Sequence, residues 1–315
     1  MTLASPFPAP GVAIVAPSGY ARDDAGVARG IAALASRGCR VHNYFDSSRI
    51  FQRFGATDDE RLAQLHAAAA NPDVQVVMAL RGQYGLTRLL PRIDYQQMAS
   101  SGKIFVGFSD FTAFQLALLA KTGAQSYAGP MLYSDFSPPQ HDPFTLDDFW
   151  RCLAGPTHRV TGEAAGNPSL AVEGVVWGGN LAMLVSLLGT EYFPQVDNGI
   201  LFIEDVNEHP YRVERMLLQL MQAGVLARQR ALVLGEFSAY NLSPADNGYD
   251  ADAMLAYLRA TLPLPVLTGL AYGHGRRRVT IPVGAPATLE ARDGAFALTV
   301  RDYPVLRQGT LLQSA

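Results

Sequence analysis

Short, nearly continuous apolar runs alternate with amphipathic stretches through the first half of the chain. Val12 to Ala16 is apolar throughout and stops at Pro17-Ser18-Gly19, the pattern of a buried strand running into a turn. Asp24 to Arg37 has helical spacing and ends at Gly38, and Val41 to Phe45 is a second strand. Thr57 and Glu60 have the spacing of a capping box, and Leu62, Leu65 and Ala69 then share one helical face up to Asn71-Pro72. Val74 to Leu80 and Ile104 to Val106 are further buried strands, the second leading into a helix from Asp110 to Lys121. Apolar strands separated by helices predict a doubly wound, mostly parallel sheet.

The pattern changes between Ala154 and Leu170, where Ala154-Gly155-Pro156-Thr157 and Ala164-Ala165-Gly166-Asn167-Pro168 are polar and turn-rich. This reads as a connection between domains. Beyond it, strands are expected at Gly199 to Ile203 and Ala231 to Leu234, and helices at Tyr211 to Gln222 and Tyr249 to Thr261. Val279 to Val300 alternates apolar and polar residues between Gly and Pro, which suggests short antiparallel strands. The expected division is an N-terminal α/β domain over 1–155, a linker over 156–172 and a smaller C-terminal domain over 173–315.

The 315 residues are 49% hydrophobic and 17% charged, ample for two domain cores. A net charge of −3 with no basic run argues against a nucleic-acid partner. The two cysteines, Cys39 and Cys152, are too few for a disulfide scaffold and read as buried small hydrophobes. Met1 to Pro10 has neither a basic start nor a continuous apolar core, so no signal peptide is expected there. No apolar run reaches the roughly 18 residues of a membrane span, and the expected compartment is the cytoplasm.

Candidate chemistry begins at Ser109, in Gly107-Phe108-Ser109-Asp110, where a buried strand gives way to a helix and Gly107 permits a sharp bend. A nucleophile elbow has this setting. The Asp110 N–H, at the helix start, would meet an oxyanion formed beside Ser109. Phe111 stands where the second Gly of G-x-S-x-G belongs, and Ser is also a favoured N-cap, so a plain helix cap fits the same context. The loop Arg81-Gly82-Gln83-Tyr84-Gly85 follows another parallel strand and should share an edge with Ser109. The Gly82 or Gln83 N–H could be the second oxyanion donor; an ordinary Gly turn is the alternative.

Among six histidines, His274 alone lies between glycines, in Gly273-His274-Gly275. Its competitor His209 follows the acidic cluster Glu204-Asp205-Val206-Asn207-Glu208, whose spacing matches no metal motif. Glu204, at a strand end, could fix the tautomer of a histidine or pair with Arg212 or Arg215.

Six segments in this order resemble the L,D-carboxypeptidase family, serine peptidases that include the microcin C immunity proteins. They are Ala16-Pro17-Ser18-Gly19, Arg81 to Leu90, Gly107 to Asp110, Gly178-Gly179-Asn180-Leu181, Leu201 to Val206 and Gly273-His274-Gly275. The resemblance implies a Ser109, Glu204, His274 triad, no cofactor or metal, and a C-terminal α+β domain with a β-barrel-like sheet. It implies a homodimer that removes the terminal D-Ala from a cytoplasmic muropeptide tetrapeptide during peptidoglycan recycling; hydrolysis of a peptidyl-nucleotide antibiotic is the alternative. Arg81, Tyr84, Trp177 and Arg212 are the expected substrate-binding residues, with core packing for Trp177 and ion pairs for the arginines as alternatives. The sequence departs from the family's Arg-Gly-Gly-Tyr-Gly at Gln83, a residue disfavoured if that position needs a positive φ.

Overall fold

In a computed structural model, which describes residues 10–307 and 310–312, the apolar runs of the first half become the strands of one sheet. Met1 to Ala9, where the signal-peptide reading falls, lie outside the described residues. The chain runs β1 (Gly11–Val15), α1 (Asp24–Ser36), β2 (Arg40–Asn43), α2 (Asp58–Ala70), β3 (Val76–Ala79), α3 (Tyr95–Ser100), β4 (Ile104–Gly107), α4 (Thr112–Thr122), β5 (Ser126–Ala128) and α5 (Pro143–Ala154). It continues with β6 (Thr157–Glu163), β7 (Leu170–Asn180), α6 (Leu181–Ser186), β8 (Gly199–Val206), α7 (Pro210–Gln222), β9 (Gln229–Ser238), α8 (Ala251–Thr261) and β10 (Val266–Leu267). The last strands are β11 (Ile281–Val283), β12 (Ala285–Arg292), β13 (Ala295–Arg301), β14 (Val305–Arg307) and β15 (Thr310–Leu312).

The first sheet has the order β11-β5-β4-β3-β1-β2. Its sequential strands are parallel, and every residue of β1, β3 and β4 is buried, as expected of a sheet covered on both faces. The capping box forms as expected: Glu60 N–H donates to Thr57 Oγ1, and Thr57 N–H donates to Glu60 Oε2. Cys39 and Cys152 are both free and buried.

The second sheet has the order β10-β9-β8-β7-β12-β13-β6. Strands β7 to β10 pair in parallel, whereas β12, β13 and β6 join antiparallel. Its two ends approach each other: a Cβ on Gly162 of β6 would lie 2.5 Å from the carbonyl oxygen of Gly269, just past β10. The row therefore curls.

The strands cut across the expected division in two places. Much of the 156–172 linker is β6, paired along its length with β13. Its inward residues His158 and Val160 are buried while Thr157, Arg159 and Thr161 are exposed, an alternation hidden among turn residues on either side. The boundary at 173 is also crossed, because β11 pairs antiparallel with β5 and completes the first sheet. One hydrophobic core runs through both sheets. They meet where Asn180 N–H, at the end of β7, donates to Thr112 Oγ1 at the head of α4 (3.0 Å). No helix among the described residues is long and apolar enough to cross a membrane.

Candidate active site

The carboxyl ends of β1, β3 and β4 put three loops on one edge, residues 16–19, 80–86 and 108–111. Gly19 N–H donates to the Gly82 carbonyl (3.0 Å), which ties the first two loops. Ser109 projects from the third. Its φ is +62°, a left-handed conformation that costs a non-glycine residue about 1–2 kcal/mol. Such strain at a strand-to-helix corner exposes a hydroxyl instead of folding it back over the helix. A short 3₁₀ turn, Ser109–Phe111, precedes α4, and neither helix start takes a side-chain cap from Ser109. The plain-cap alternative therefore fails.

Gly107 plays a different part from the one expected. The bend lies at Ser109, while a Cβ on Gly107 would sit 2.8 Å from the Phe111 ring and 3.0 Å from Ala79 Cβ. Its missing side chain makes room for packing. Gly82 is glycine because Ser109 comes close: a Cβ there would lie 2.7 Å from both Ser109 Cβ and Oγ. The backbone of the 80–86 loop thus passes directly over the hydroxyl. The N–H groups of Gly82, Gln83 and Asp110 have no acceptor among the described residues. Gln83 does adopt a positive φ, +70°. Its side chain fits beside Gly19, where a Cβ would lie 3.0 Å from Gln83 Cβ.

Facing this corner is a histidine from the second half. His274 Nε2 lies 3.1 Å from Ser109 Oγ, and Nδ1 lies 2.7 Å from Glu204 Oε2. A carboxylate can only accept, and against one Nδ1–H donates, which leaves Nε2 a lone pair for the serine O–H. Glu204 is completely buried and belongs to β8, which extends three residues past the expected end at Ile203. Its partner is His274, and neither Arg212 nor Arg215 reaches it. Asn180 is the register partner of Glu204 across β7 and β8, and its amide donates to Glu204 Oε1 (3.1 Å) and Asp205 Oδ1 (2.9 Å). Neighbouring strand residues ordinarily face opposite sides. The register shift between Ile203 and Asp205 lets both carboxylates reach the same amide.

Two buried carboxyls flank the site. Burial raises the pKa of Asp110 to about 6, against the lowering pull of Ser18, of the Leu86 and Gly85 N–H groups and of Arg61. Burial likewise raises Asp205 to about 6, against the Ala182 and Val206 N–H groups and the Asn180 amide. Beside His274 opens a cavity of about 250 Å³, lined among others by Phe108, Gln140, Thr145, Arg276 and Arg278. Arg278 is buried and held by Asp135 and by the Gly273 carbonyl (2.9 Å), with its guanidinium stacked 3.6 Å over Phe108. Phe108 in turn meets the His274 ring edge-on at 5.0 Å. Arg276 is exposed and makes no ion pair among the described residues.

The four expected substrate-binding residues fare unevenly. Trp177 is 0% exposed, donates its indole N–H to Gln229 (2.8 Å) and packs on Phe193, so it is a core residue and offers no wall to a ligand. Arg212 lies with Glu208 and Tyr211, without a contact to Ser109, Glu204 or His274. Arg81 sits in the 80–86 loop but turns its guanidinium to the Tyr20 carbonyl (3.1 Å) and the Tyr133 ring. Tyr84 is 42% exposed on that loop, next to Phe54 and Arg53. His209 caps α7 and pairs with Asp246 (3.0 Å). Among the described residues no three His, Cys, Asp or Glu are grouped to hold a metal. Sequence reasoning missed Arg278 and the Asp110 carboxylate: the partners of both are distant in sequence, and no local pattern marks them.

Two family models cover most of the chain: an LD-carboxypeptidase N-terminal domain matches residues 12–129, and an LD-carboxypeptidase C-terminal domain matches residues 173–289. The crystal structure of muramoyltetrapeptide carboxypeptidase from Oxalobacter formigenes is 50% identical with a TM-score of 0.90, covering 94% of this chain and 100% of that one. The murein tetrapeptide carboxypeptidase of Pseudomonas aeruginosa is 31% identical over 76% of this chain and 80% of its own. The microcin C7 self-immunity protein of Escherichia coli is 27% identical over 86% of this chain and 87% of its own.

Proposed function

The chain belongs to the LD-carboxypeptidase family, and from that premise we propose that it is a serine L,D-carboxypeptidase that releases the terminal D-Ala of muropeptide tetrapeptides during cytoplasmic peptidoglycan recycling. The observation that carries this reading is the chain of contacts Ser109 Oγ, His274 Nε2, His274 Nδ1 and Glu204 Oε2, at 3.1 and 2.7 Å.

In this reading His274 Nε2 takes the Ser109 proton as Oγ attacks the carbonyl before the D-residue. Glu204 keeps the imidazole in the right tautomer and stabilises its cation. The carbonyl oxygen becomes an oxyanion held by the Asp110 N–H and by the Gly82 or Gln83 N–H. Loss of one such donor typically costs about 3–4 kcal/mol of barrier. Collapse expels the amine of D-Ala, which takes its proton from Nε2, and leaves an acyl-Ser109 that water then hydrolyses. Because Nε2 protonates the leaving amine, the leaving residue sits on the His274 side, at the mouth of the 250 Å³ cavity. Arg276 at that cavity is suited to its terminal carboxylate.

Hydrolysis of a peptidyl-nucleotide antibiotic is the second reading, supported by the similarity to the self-immunity protein. The feature that left it open in the sequence was Trp177 as a base-stacking aromatic, and that side chain is fully buried.

The test is product analysis by mass spectrometry after incubation with a muropeptide tetrapeptide and with a processed microcin C analogue. Loss of one alanine from the first alone is expected. Ser109→Ala should lower turnover at least ~10⁴-fold and abolish fluorophosphonate labelling, while a chelator leaves the wild type active. Full turnover by the variant would end the assignment.

A further inference from the structure

The Asp110 side chain is not needed for any step above, where only its N–H acts. Yet it is 3% exposed, and its Oδ2 is the acceptor on which two loops converge. Ser18 O–H donates to it at 2.6 Å and Leu86 N–H at 2.9 Å, while Oδ1 has no hydrogen-bond partner among the described residues. The same two loops are gripped from the other side by a second buried charge. Arg61, 0% exposed, donates to the carbonyls of Pro17 and Gly85, the latter at 3.0 Å. One ion therefore collects the donors of the 16–19 and 80–86 loops while the other collects their acceptors. Buried ions are costly, and both are retained here, Arg61 with Asp58 as its ion-pair partner, although apolar residues often pack as well.

The loop they grip is the one whose backbone crosses Ser109 at Gly82. Gln83, at φ +70°, occupies a conformation that a free loop would leave, so something must hold it. Asp110 is covalently next to Ser109, so a bond from its carboxylate to Leu86 fixes loop and hydroxyl to the same residue.

We propose that the Asp110 carboxylate is a positioning residue: with Arg61 it pins the Gly82–Leu86 loop over Ser109, so that the two oxyanion N–H groups converge on one point. This inference rests on the reading of Ser109 as the nucleophile. It predicts an effect on the transition state more than on substrate binding, because oxyanion donors strengthen as charge develops.

Asp110→Asn keeps the shape and one acceptor but replaces charged bonds with weaker neutral ones. Its kcat on a muropeptide tetrapeptide should fall 10- to 100-fold with KM within threefold. Affinity for a peptide boronic acid, which presents a tetrahedral anion on the serine, should fall by the same factor as kcat/KM. Ser18→Ala, which removes one bond, should act in the same direction by 3- to 10-fold, and it decides the matter if Asp110→Asn does not fold. Unchanged kcat, a rise in KM alone, or a fall in kcat with boronic acid affinity intact would overturn the proposal. The two readings fail differently. A fully active Ser109→Ala refutes the nucleophile, whereas a dead Ser109→Ala beside a fully active Asp110→Asn refutes only the clamp.

Discussion

The corner that carries Ser109 is built from backbone, whereas the pair that faces it is built from side chains. On the first side, a positive φ at Ser109, a glycine at position 82 and N–H groups without an acceptor among the described residues shape the site. On the second, Glu204 and His274 come from elements 70 residues apart, and Asn180 joins from the neighbouring strand β7. Strained backbone geometry is held by close approach and by the groups that grip the loop. A side-chain relay depends on register between strands, so it tolerates less change in residue identity and more in loop shape.

That contrast sets the largest expected effect on the side-chain half. Glu204→Gln leaves an amide against His274 Nδ1, whose amino group repels the N–H that must point there. The imidazole then turns to the wrong tautomer, and kcat should fall about 10³- to 10⁴-fold, read by steady-state kinetics. The fold should survive, since Gln can still accept from the Asn180 amide. A kcat within tenfold of the wild type would show that the imidazole does not need its carboxylate.

Each half also carries one buried carboxyl raised from 3.8 to about 6, Asp110 beside the serine and Asp205 beside the glutamate. A raised carboxyl pKa means that the folded state binds more protons than the unfolded chain between pH 4 and 6. Stability from these groups is therefore present below about pH 4 and is lost as pH rises to about 6, with no further change above. A two-unit rise corresponds to on the order of 3 kcal/mol for each group. Denaturant unfolding from pH 4 to 7 should show that Asp205→Asn removes one such loss and leaves the other. An unchanged slope would mean that Asp205 titrates normally in the fold.

The two halves were not equally legible. Thr57 and Glu60 announce a helix start within four residues, and the structure forms that cap. The Ser109 corner is also local, so its strand-to-helix turn could be read, although the sequence alone could not separate a cap from a nucleophile. Strand β6 escaped because its partner β13 lies more than a hundred residues away and turn residues flank it. Glu204 and His274 were paired only through resemblance to a family, since no local rule connects them. Trp177 looked like a pocket wall because a large aromatic beside glycines fits one equally well as it fits a core. Its burial follows from Gln229, which accepts from the indole N–H and is invisible at position 177.

Asn180 tests how far the side-chain half depends on support. Asn180→Ala removes the donor shared by Glu204 Oε1 and Asp205 Oδ1, both buried. Leaving such acceptors short of partners costs about 1–3 kcal/mol of stability. The Glu204 carboxylate then has freedom to rotate, and kcat should fall about tenfold with KM held. A loss of stability without a loss of kcat would assign Asn180 to packing between β7 and β8 alone.

The smallest effect is expected on the backbone half, at Gln83. Its φ of +70° costs a non-glycine residue about 1–2 kcal/mol, which glycine does not incur. Glycine also gives the unfolded chain more freedom, which takes back about 0.4–1 kcal/mol of that gain. Gln83→Gly should therefore raise stability by no more than about 1 kcal/mol, read from denaturant midpoints. The N–H at position 83 is already where a glycine would put it, so kcat should stay within threefold. A tenfold change in kcat would mean that the Gln83 side chain, lodged beside Gly19, sets the height of the loop over Ser109. In that case the backbone half would depend on the Gln83 side chain as well as on Asp110 and Arg61, and the contrast between the two halves would narrow to the strain at Ser109 itself.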